Sequence, residues 1–181
     1  MLKKILLGLG ILLIAFVAFI GYGILFPASP PTSTSFSNGG LDILVNYSQP
    51  SKKGRLIFGP ESDGALHPYG KYWRLGANSA TEISFSQDVL FAGENVPAGI
   101  YRMYAVPGPE SFEISLNSET EVYFGVAEPN YELDVVKVKI PITRPEAEVE
   151  KFTISFEADG SATMMNMAWD MILIQVPISI K

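Results

Sequence analysis

The residues best suited to bind a ligand are concentrated in one short part of the chain. The stretch from His67 to Thr81 contains the only histidine, one of the two tryptophans, an arginine and an asparagine, separated by glycines. So much bulk and special polarity is unusual for a simple linker. With one further arginine upstream, this region supplies six candidate site residues: Arg55, His67, Tyr69, Trp73, Arg74 and Asn78.

Arg55 and Arg74 each lie within an apolar, strand-like run, Gly54-Arg55-Leu56-Ile57 and Tyr72-Trp73-Arg74-Leu75. An arginine in such a run must be paired or exposed, because an isolated buried charge is very costly. One interpretation is a structural ion pair with an acid such as Glu82 or Asp88. The other is a functional arginine that is open to a ligand.

In the functional interpretation, the planar guanidinium of Arg74 binds a carboxylate, a phosphate or sugar hydroxyls. Tyr69 and Trp73 would frame that ligand, and the amide of Asn78 would add polar contacts. Asn78 also has a purely structural interpretation, because asparagine tolerates left-handed backbone and often bonds to its own turn. Trp169-Asp170, near the end of the chain, is interpreted as a core aromatic residue and a turn acid.

His67 is the only possible imidazole, so any Ser-His catalysis would depend on it. No Gly-x-Ser-x-Gly motif accompanies it, and a loop histidine before a proline turn is the plainer interpretation. His67 is therefore kept as a possible acid or base, and no catalytic residue is assigned. The chain has no cysteine, and its acids show no metal-ligand spacing. No metal site and no cofactor are predicted.

The charge distribution excludes one class of partner. The chain carries 13 basic and 19 acidic residues, for a net charge of −6. Two of the basic residues, Lys3 and Lys4, belong to the N-terminal segment, so the rest of the chain is more acidic still. Nucleic-acid binding requires clustered lysine and arginine, so a nucleic-acid partner is not expected.

The N-terminal segment has the composition of a membrane anchor. Ile5 to Phe26 contains no charged residue, and a helix of that length spans roughly 33 Å, against about 30 Å for a bilayer core. A cleaved signal peptide is the alternative, although Phe26-Pro27-Ala28 is a poor cleavage site. Lys3 and Lys4 predict a cytoplasmic N-terminus, with the body in the periplasm or on the cell surface. The predicted domains are an anchor (1–26), a flexible stalk (27–40) and a β domain (41–181).

The remainder of the chain has a period of two, which is typical of strands. Short runs separated by turn residues predict an all-β, antiparallel β-sandwich of the jelly-roll type. Asp159-Gly160 predicts a hairpin turn, and Tyr101 is expected to pack at a corner of the sandwich. The predicted strands cover 41–47, 55–58, 72–75, 82–86, 88–92, 99–106, 112–116, 121–124, 136–140, 151–157, 163–168 and 171–178.

Several short motifs in the first half of the body resemble those of the bacterial domain of unknown function 2911. They are Asn46-Tyr47-Ser48-Gln49-Pro50-Ser51, Lys53-Gly54-Arg55, Phe58-Gly59, Pro68-Tyr69-Gly70, Trp73-Arg74, Gly76-Ala77-Asn78, Ala80-Thr81 and Pro97-Ala98-Gly99-x-Tyr101. The resemblance implies an exported bacterial protein and brings no established activity, substrate or cofactor. His67 lies at a position that the family motif does not fix.

Together these features predict a single-pass membrane protein whose extracytoplasmic β domain acts as a binding module of the bacterial envelope. Its partner would be a small molecule, a glycan or an envelope protein. One alternative is a hydrolase-type enzyme that uses His67 or a carboxylate pair near Arg74. The other is a purely structural envelope protein.

Overall fold

The computed structural model describes residues 2–122 and 125–181, and within the first helix it describes the side chains of residues 8–23 and 25. The chain begins with helix α1 (Leu2–Leu25). Two single 3₁₀ turns, Glu61–Asp63 and Tyr131–Leu133, interrupt the strands. The strands are β1 (Pro31–Asn38), β2 (Leu41–Ser48), β3 (Phe58–Gly59), β4 (His67–Pro68), β5 (Thr81–Phe85), β6 (Val89–Phe91), β7 (Glu94–Val96), β8 (Gly99–Val106), β9 (Ser111–Asn117), β10 (Asp134–Thr143), β11 (Val149–Asp159), β12 (Ala162–Asp170) and β13 (Ile172–Ile180).

The body is one antiparallel sheet of eleven strands that is nearly barrel-shaped. Its main path runs β1-β2-β5-β8-β9-β10-β13-β12-β11, and β6 and β7 extend it beside β13. Strands β3 and β4 form a separate parallel pair. The prediction of an all-β, antiparallel body is confirmed.

The predicted jelly-roll-like β-sandwich is, in the structure, one continuous sheet. Strand β10 pairs with β9 through Asp134–Pro141 and then with β13 through Ile142 and Thr143. A single strand thus turns the corner between the two halves. At the other end of the path, the Asn38 side chain donates a hydrogen bond of 2.9 Å to the carbonyl of Ala162, which brings β1 close to the β11–β12 hairpin.

Alternating side chains fill the interior. In β2, Leu41, Ile43 and Val45 are buried, while the residues between them are exposed. An aromatic cluster lies at the centre of one end of the core. The Trp73 ring is 5.0 Å from Phe152 and 5.9 Å from Trp169, measured between ring centroids. This cluster forms the floor beneath the candidate site.

The predicted flexible stalk is wrong for most of its length. Residues 31–38 form strand β1, which pairs with the whole of β2, from Pro31 opposite Ser48 to Asn38 opposite Leu41. The serine and threonine content suggested a linker, but alternate residues of β1 face inward, and Phe36 stacks on Phe156 at 5.9 Å. Pairing and burial therefore outweigh the polar composition.

The predicted anchor forms α1, but the structure does not establish it as a membrane span. Where side chains are described, we find no helix of sufficient length and hydrophobicity to cross a bilayer.

Three predicted strands are not strands over most of their described residues. Residues 55–57 lie in a loop because Lys53 and Gly54 have φ of 50° and 68°, which turns the chain just before them. In the segment 72–75 only Trp73 forms a bridge, with Ala105, and Leu75 at φ 53° ends the extended run. Residues 121 and 122 are not in a strand, and the rest of the predicted strand 121–124 lies outside the described residues.

Two local predictions are confirmed. Strands β11 and β12 form a hairpin in which Asp159 pairs with Ala162, and Gly160 in the turn has φ 61°. Tyr101 is buried, and its hydroxyl donates a hydrogen bond of 2.8 Å to the carbonyl of Pro97. Both features therefore have structural roles.

Candidate functional site

Four of the six predicted site residues line one open pocket. The pocket has a volume of about 430 Å³ and lies above the aromatic cluster, beside the segment that follows α1. Arg55, His67, Arg74 and Asn78 are all in its wall. The remaining lining residues are Ser29, Pro50, Leu66, Gly76, Ala77, Val126 and Trp169.

The two predicted aromatic residues do not line this pocket. Trp73 is 2% exposed and belongs to the core, so its ring supports the site from below. Tyr69 is half-buried and packs against the core. Trp169, which was interpreted as a core residue, is buried but contributes to the pocket wall.

Arg55 is oriented by the turn that precedes it. Its Nε and Nη2 donate hydrogen bonds to the carbonyls of Lys52 and Ser51, at 3.0 and 2.6 Å. That turn is held by Lys52, whose ammonium group contacts Asp170 at 2.7 Å and Glu148 at 2.8 Å. The hydrogen bond to Asp170, followed by that to Glu148, raises the Lys52 pKa. Asp170, which the sequence predicted to be a turn acid, is the last residue of β12, at φ 57°, and its carboxylate anchors Lys52.

Arg74 is oriented by the loop that follows it. Its Nη1 donates a hydrogen bond of 3.1 Å to the main-chain carbonyl of Asn78. The loop is tight because Leu75 and Asn78 have positive φ, 53° and 58°, and the Thr81 hydroxyl donates to the Leu75 carbonyl at 2.6 Å. The Asn78 side chain donates to the carbonyl of Ser29 at 3.0 Å. Asn78 therefore has a structural role in addition to lining the pocket.

Neither pocket arginine is neutralised by an acid of the described residues. Within residues 2–122 and 125–181, no ion pair includes Arg55 or Arg74. The acids expected to pair with them have other contacts: Glu82 accepts a hydrogen bond from the Glu121 amide, and Asp88 accepts one from the Ala98 amide. The prediction of a structural ion pair with either acid is therefore wrong. A guanidinium has five N–H groups, so most donors of both arginines remain available.

His67 lies between these cations and the aromatic cluster. Its ring is 5.0 Å from Trp73 and 5.7 Å from Trp169. Burial, reinforced by the charges of Arg74 and then Arg55, lowers the His67 pKa from 6.5 to about 3. The imidazole is therefore neutral at physiological pH, and the pocket carries the charge of its two arginines.

A second polar cluster was missed in the sequence. Arg102, on β8, is 1% exposed and pairs with Glu119 at 2.8 Å. It also donates to the Tyr72 hydroxyl at 2.7 Å and to the Ala127 carbonyl. The sequence does contain a signal for this cluster, because Arg102 is a charged residue within the apolar run Gly99–Val106. This cluster fixes the segment that brings Val126 to the pocket.

Another depression in the described residues has a different chemistry. A depression of about 390 Å³ between β1, β2 and β5 is lined mainly by Ser, Thr and Asn, and its one charged residue is Glu82. No group of three or more potential metal ligands occurs in the described part of the chain. The arginine pocket is therefore the candidate site, and its chemistry suits an anion.

Comparison with known proteins assigns the family. The family model for a protein of unknown function (DUF2911) matches residues 29–178. The chain belongs to this family. The matched region includes β1 to β12, most of β13 and every residue that lines the pocket. No curated protein and no solved structure is significantly similar to the chain.

Proposed function

We propose that the protein is a membrane-anchored, extracytoplasmic binding module whose ligand is a small anion held in the arginine pocket. One observation carries the binding part: Arg55 and Arg74 line the same open pocket, and neither forms an ion pair with the described residues. A carboxylate or phosphate can accept two parallel hydrogen bonds from a guanidinium. Such an anion would supply the negative charge that the described residues do not place beside these arginines.

Charge and burial favour an anion over a neutral ligand. The protein as a whole carries a net charge of −6. The pocket, with its two available guanidiniums, has a local charge of the opposite sign. Burial lowers the His67 pKa, and the charges of Arg74 and then Arg55 lower it further, so both arginines are within electrostatic reach of one imidazole. A bound oxyanion would offset the repulsion among these positive charges, and a neutral sugar would leave that repulsion unchanged.

The environment of His67 argues against the hydrolase alternative. A general base should have a pKa near the working pH, and a pKa of about 3 makes the imidazole a weak proton acceptor. In the described residues, its ring nitrogens have no hydrogen bond to a carboxylate or hydroxyl. The purely structural alternative gives no reason for two arginines to line one open pocket without an ion pair to any described residue.

The anchor and the location are supported by the sequence. Helix α1 (Leu2–Leu25) begins three residues before the uncharged run from Ile5 to Phe26 and covers all of that run except its last residue. Lys3 and Lys4 precede the run, and the positive-inside rule then directs the body outward. A C-terminal alkaline phosphatase fusion tests this orientation, because that reporter is active only after export. An inactive fusion would refute the extracytoplasmic location without bearing on the pocket.

Calorimetric titration of the full-length protein with inorganic phosphate tests the binding proposal. Arg55→Gln and Arg74→Gln should each weaken binding about tenfold or more, because a charge-assisted hydrogen bond contributes roughly 1.5–3 kcal/mol. Arg144→Gln is the matched control, since Arg144 is exposed and outside the pocket. Equal weakening by all three substitutions would show a general charge effect and refute the site.

A further inference from the structure

We propose that the ligand of the arginine pocket is amphiphilic, with an oxyanion head and an aliphatic chain. This inference rests on the proposed function, because the two arginines hold the head. It adds a second requirement: part of the ligand must be apolar. The reason lies in the rest of the pocket wall, which the arginines do not explain.

The pocket has an apolar wall in addition to its charged one. Leu66, Pro50, Ala77 and Val126 line the same space as the arginines. Leu66 is 39% exposed and Val126 is 67% exposed. Single exposed apolar residues are ordinary on protein surfaces, but here two of them flank one charged pocket. An aliphatic chain on these residues would remove their surface from water.

The position of Val126 is fixed by the fold. Its neighbours are held on both sides: the Gly125 carbonyl accepts from the Tyr72 hydroxyl at 3.1 Å, and the Ala127 carbonyl accepts from Arg102. The Gly125 amide donates to the Asn78 carbonyl at 3.1 Å. The same carbonyl accepts from Arg74, so the apolar and charged walls are joined at one atom. The exposed Val126 side chain is therefore presented to the pocket by a hydrogen-bonded frame.

The size of the pocket supports the same conclusion. A volume of about 430 Å³ is that of roughly fourteen water molecules, at about 30 Å³ each. An inorganic oxyanion of five heavy atoms would leave most of this space filled with water. A head group with a chain of several carbons would occupy both the charged and the apolar parts.

Such an amphiphile could come from solution or from a membrane. Ser29, in the pocket wall, is only four residues beyond the end of α1 at Leu25. A fully extended segment of that length spans at most about 14 Å. If α1 lies in the bilayer, the pocket is near the phosphate groups of the lipids. The net charge of −6 opposes general attraction to anionic lipid, so any lipid phosphate must be bound by the pocket itself.

A chain-length series tests the proposal. The full-length protein is titrated with inorganic phosphate and with methyl, butyl and hexyl phosphate, all below their aggregation concentrations. Complete burial of a methylene contributes about 0.8 kcal/mol, which corresponds to about a fourfold change in affinity. We expect affinity to rise two- to fourfold per carbon over this series. Leu66→Ser with Val126→Ser should flatten the dependence, so that hexyl phosphate loses its advantage in affinity over inorganic phosphate.

The outcomes separate this inference from the proposed function. Equal affinity across the series, with binding still lost in Arg74→Gln, would overturn the amphiphile and leave the anion site intact. No binding of any phosphate would overturn both proposals. A chain-length gain that persists in the double serine variant would overturn the assigned apolar wall.

Vesicles distinguish the two sources. Binding to phosphatidylglycerol vesicles that exceeds binding to phosphatidylcholine vesicles, and that Arg74→Gln abolishes, would support a lipid ligand. The assay uses a variant with α1 made polar by Leu12→Lys and Phe16→Lys, so that insertion of the helix does not contribute. Hexyl phosphate binding by that variant without vesicle binding would support a dissolved amphiphile. Vesicle binding unaffected by Arg74→Gln would overturn the role of the pocket in lipid binding.

Discussion

The main-chain carbonyl of Asn78 accepts hydrogen bonds from the Arg74 guanidinium and from the Gly125 amide, both at 3.1 Å. One atom thus connects the charged wall of the pocket to the segment that carries Val126. Asn78 can hold this carbonyl in place because it adopts φ 58°, a conformation that asparagine tolerates better than most residues. The pocket is therefore built on a loop that is cross-linked by hydrogen bonds.

Arg74→Gln should leave the protein folded. The side chain makes one hydrogen bond within the described residues, and a net contribution of about 1 kcal/mol is typical for one such bond. We expect the free energy of unfolding to fall by no more than about 1 kcal/mol in denaturant titrations. A loss of several kcal/mol would show that Arg74 has a structural role.

Arg102→Gln should be much more damaging. The residue is 1% exposed, and its loss leaves the Tyr72 hydroxyl and the Ala127 carbonyl without this donor. Because Glu119 is partly exposed, it can be hydrated, which moderates the cost of breaking the pair. We expect a loss of about 2–4 kcal/mol. Denaturant titrations of Arg102→Gln and Arg74→Gln, run side by side, compare their free energies of unfolding directly. Equal losses of free energy in the two variants would contradict the distinct roles assigned to the two arginines.

Gly76→Ala should destabilise the loop. Gly76 has φ 145°, and a Cβ at this position would lie 2.7 Å from the Ser48 carbonyl oxygen. Gly54→Ala is the control, because Gly54 also has positive φ but nothing lies within 4 Å of its Cβ position. Backbone strain alone costs roughly 1–2 kcal/mol. In thermal denaturation we expect Gly76→Ala to lower the melting temperature more than Gly54→Ala does. The reverse order would show that the loop can move away from Ser48.

Stability should fall on acidification because of His67. Its pKa is about 3 in the folded protein and 6.5 when unperturbed, so the unfolded chain binds more protons between these values. Acid therefore favours unfolding throughout this window. From pH 7 to pH 5 the contribution is up to about 2 kcal/mol. His67→Gln should lose less stability than the wild type over this range, and parallel pH profiles would contradict the depressed pKa.

The β architecture was predictable because it depends on local alternation. The strict pattern in Val136–Ile140 and Lys151–Glu157 identified β10 and β11, since one face of each strand is buried. The single curved sheet was not predictable, because it depends on β10 pairing with two partners. Strand β1 was missed because its serines and threonines suit a linker as well as an edge strand.

The candidate site was predictable in part. Arg55, Arg74, His67 and Asn78 are close in sequence, and their unusual residue types marked the region. Trp73 was expected to face the ligand. In the structure it alternates with Arg74, so its side chain points into the core and that of Arg74 lines the pocket. Val126 and Trp169 come from distant parts of the chain. Only tertiary structure brings them to the pocket, so no local pattern could have identified them.

The central claim is that two arginines beside a neutral His67 form an anion site. Because His67 is the only histidine, its imidazole proton resonance can be followed by NMR without ambiguity. Sulfate is a suitable probe because it remains a dianion across the titration, and chloride at equal ionic strength is the control. In chloride we expect no titration between pH 5 and 8, and with sulfate the His67 pKa should rise, because a bound anion stabilises the imidazolium. A pKa near 6.5 that is identical in sulfate and chloride would contradict the account.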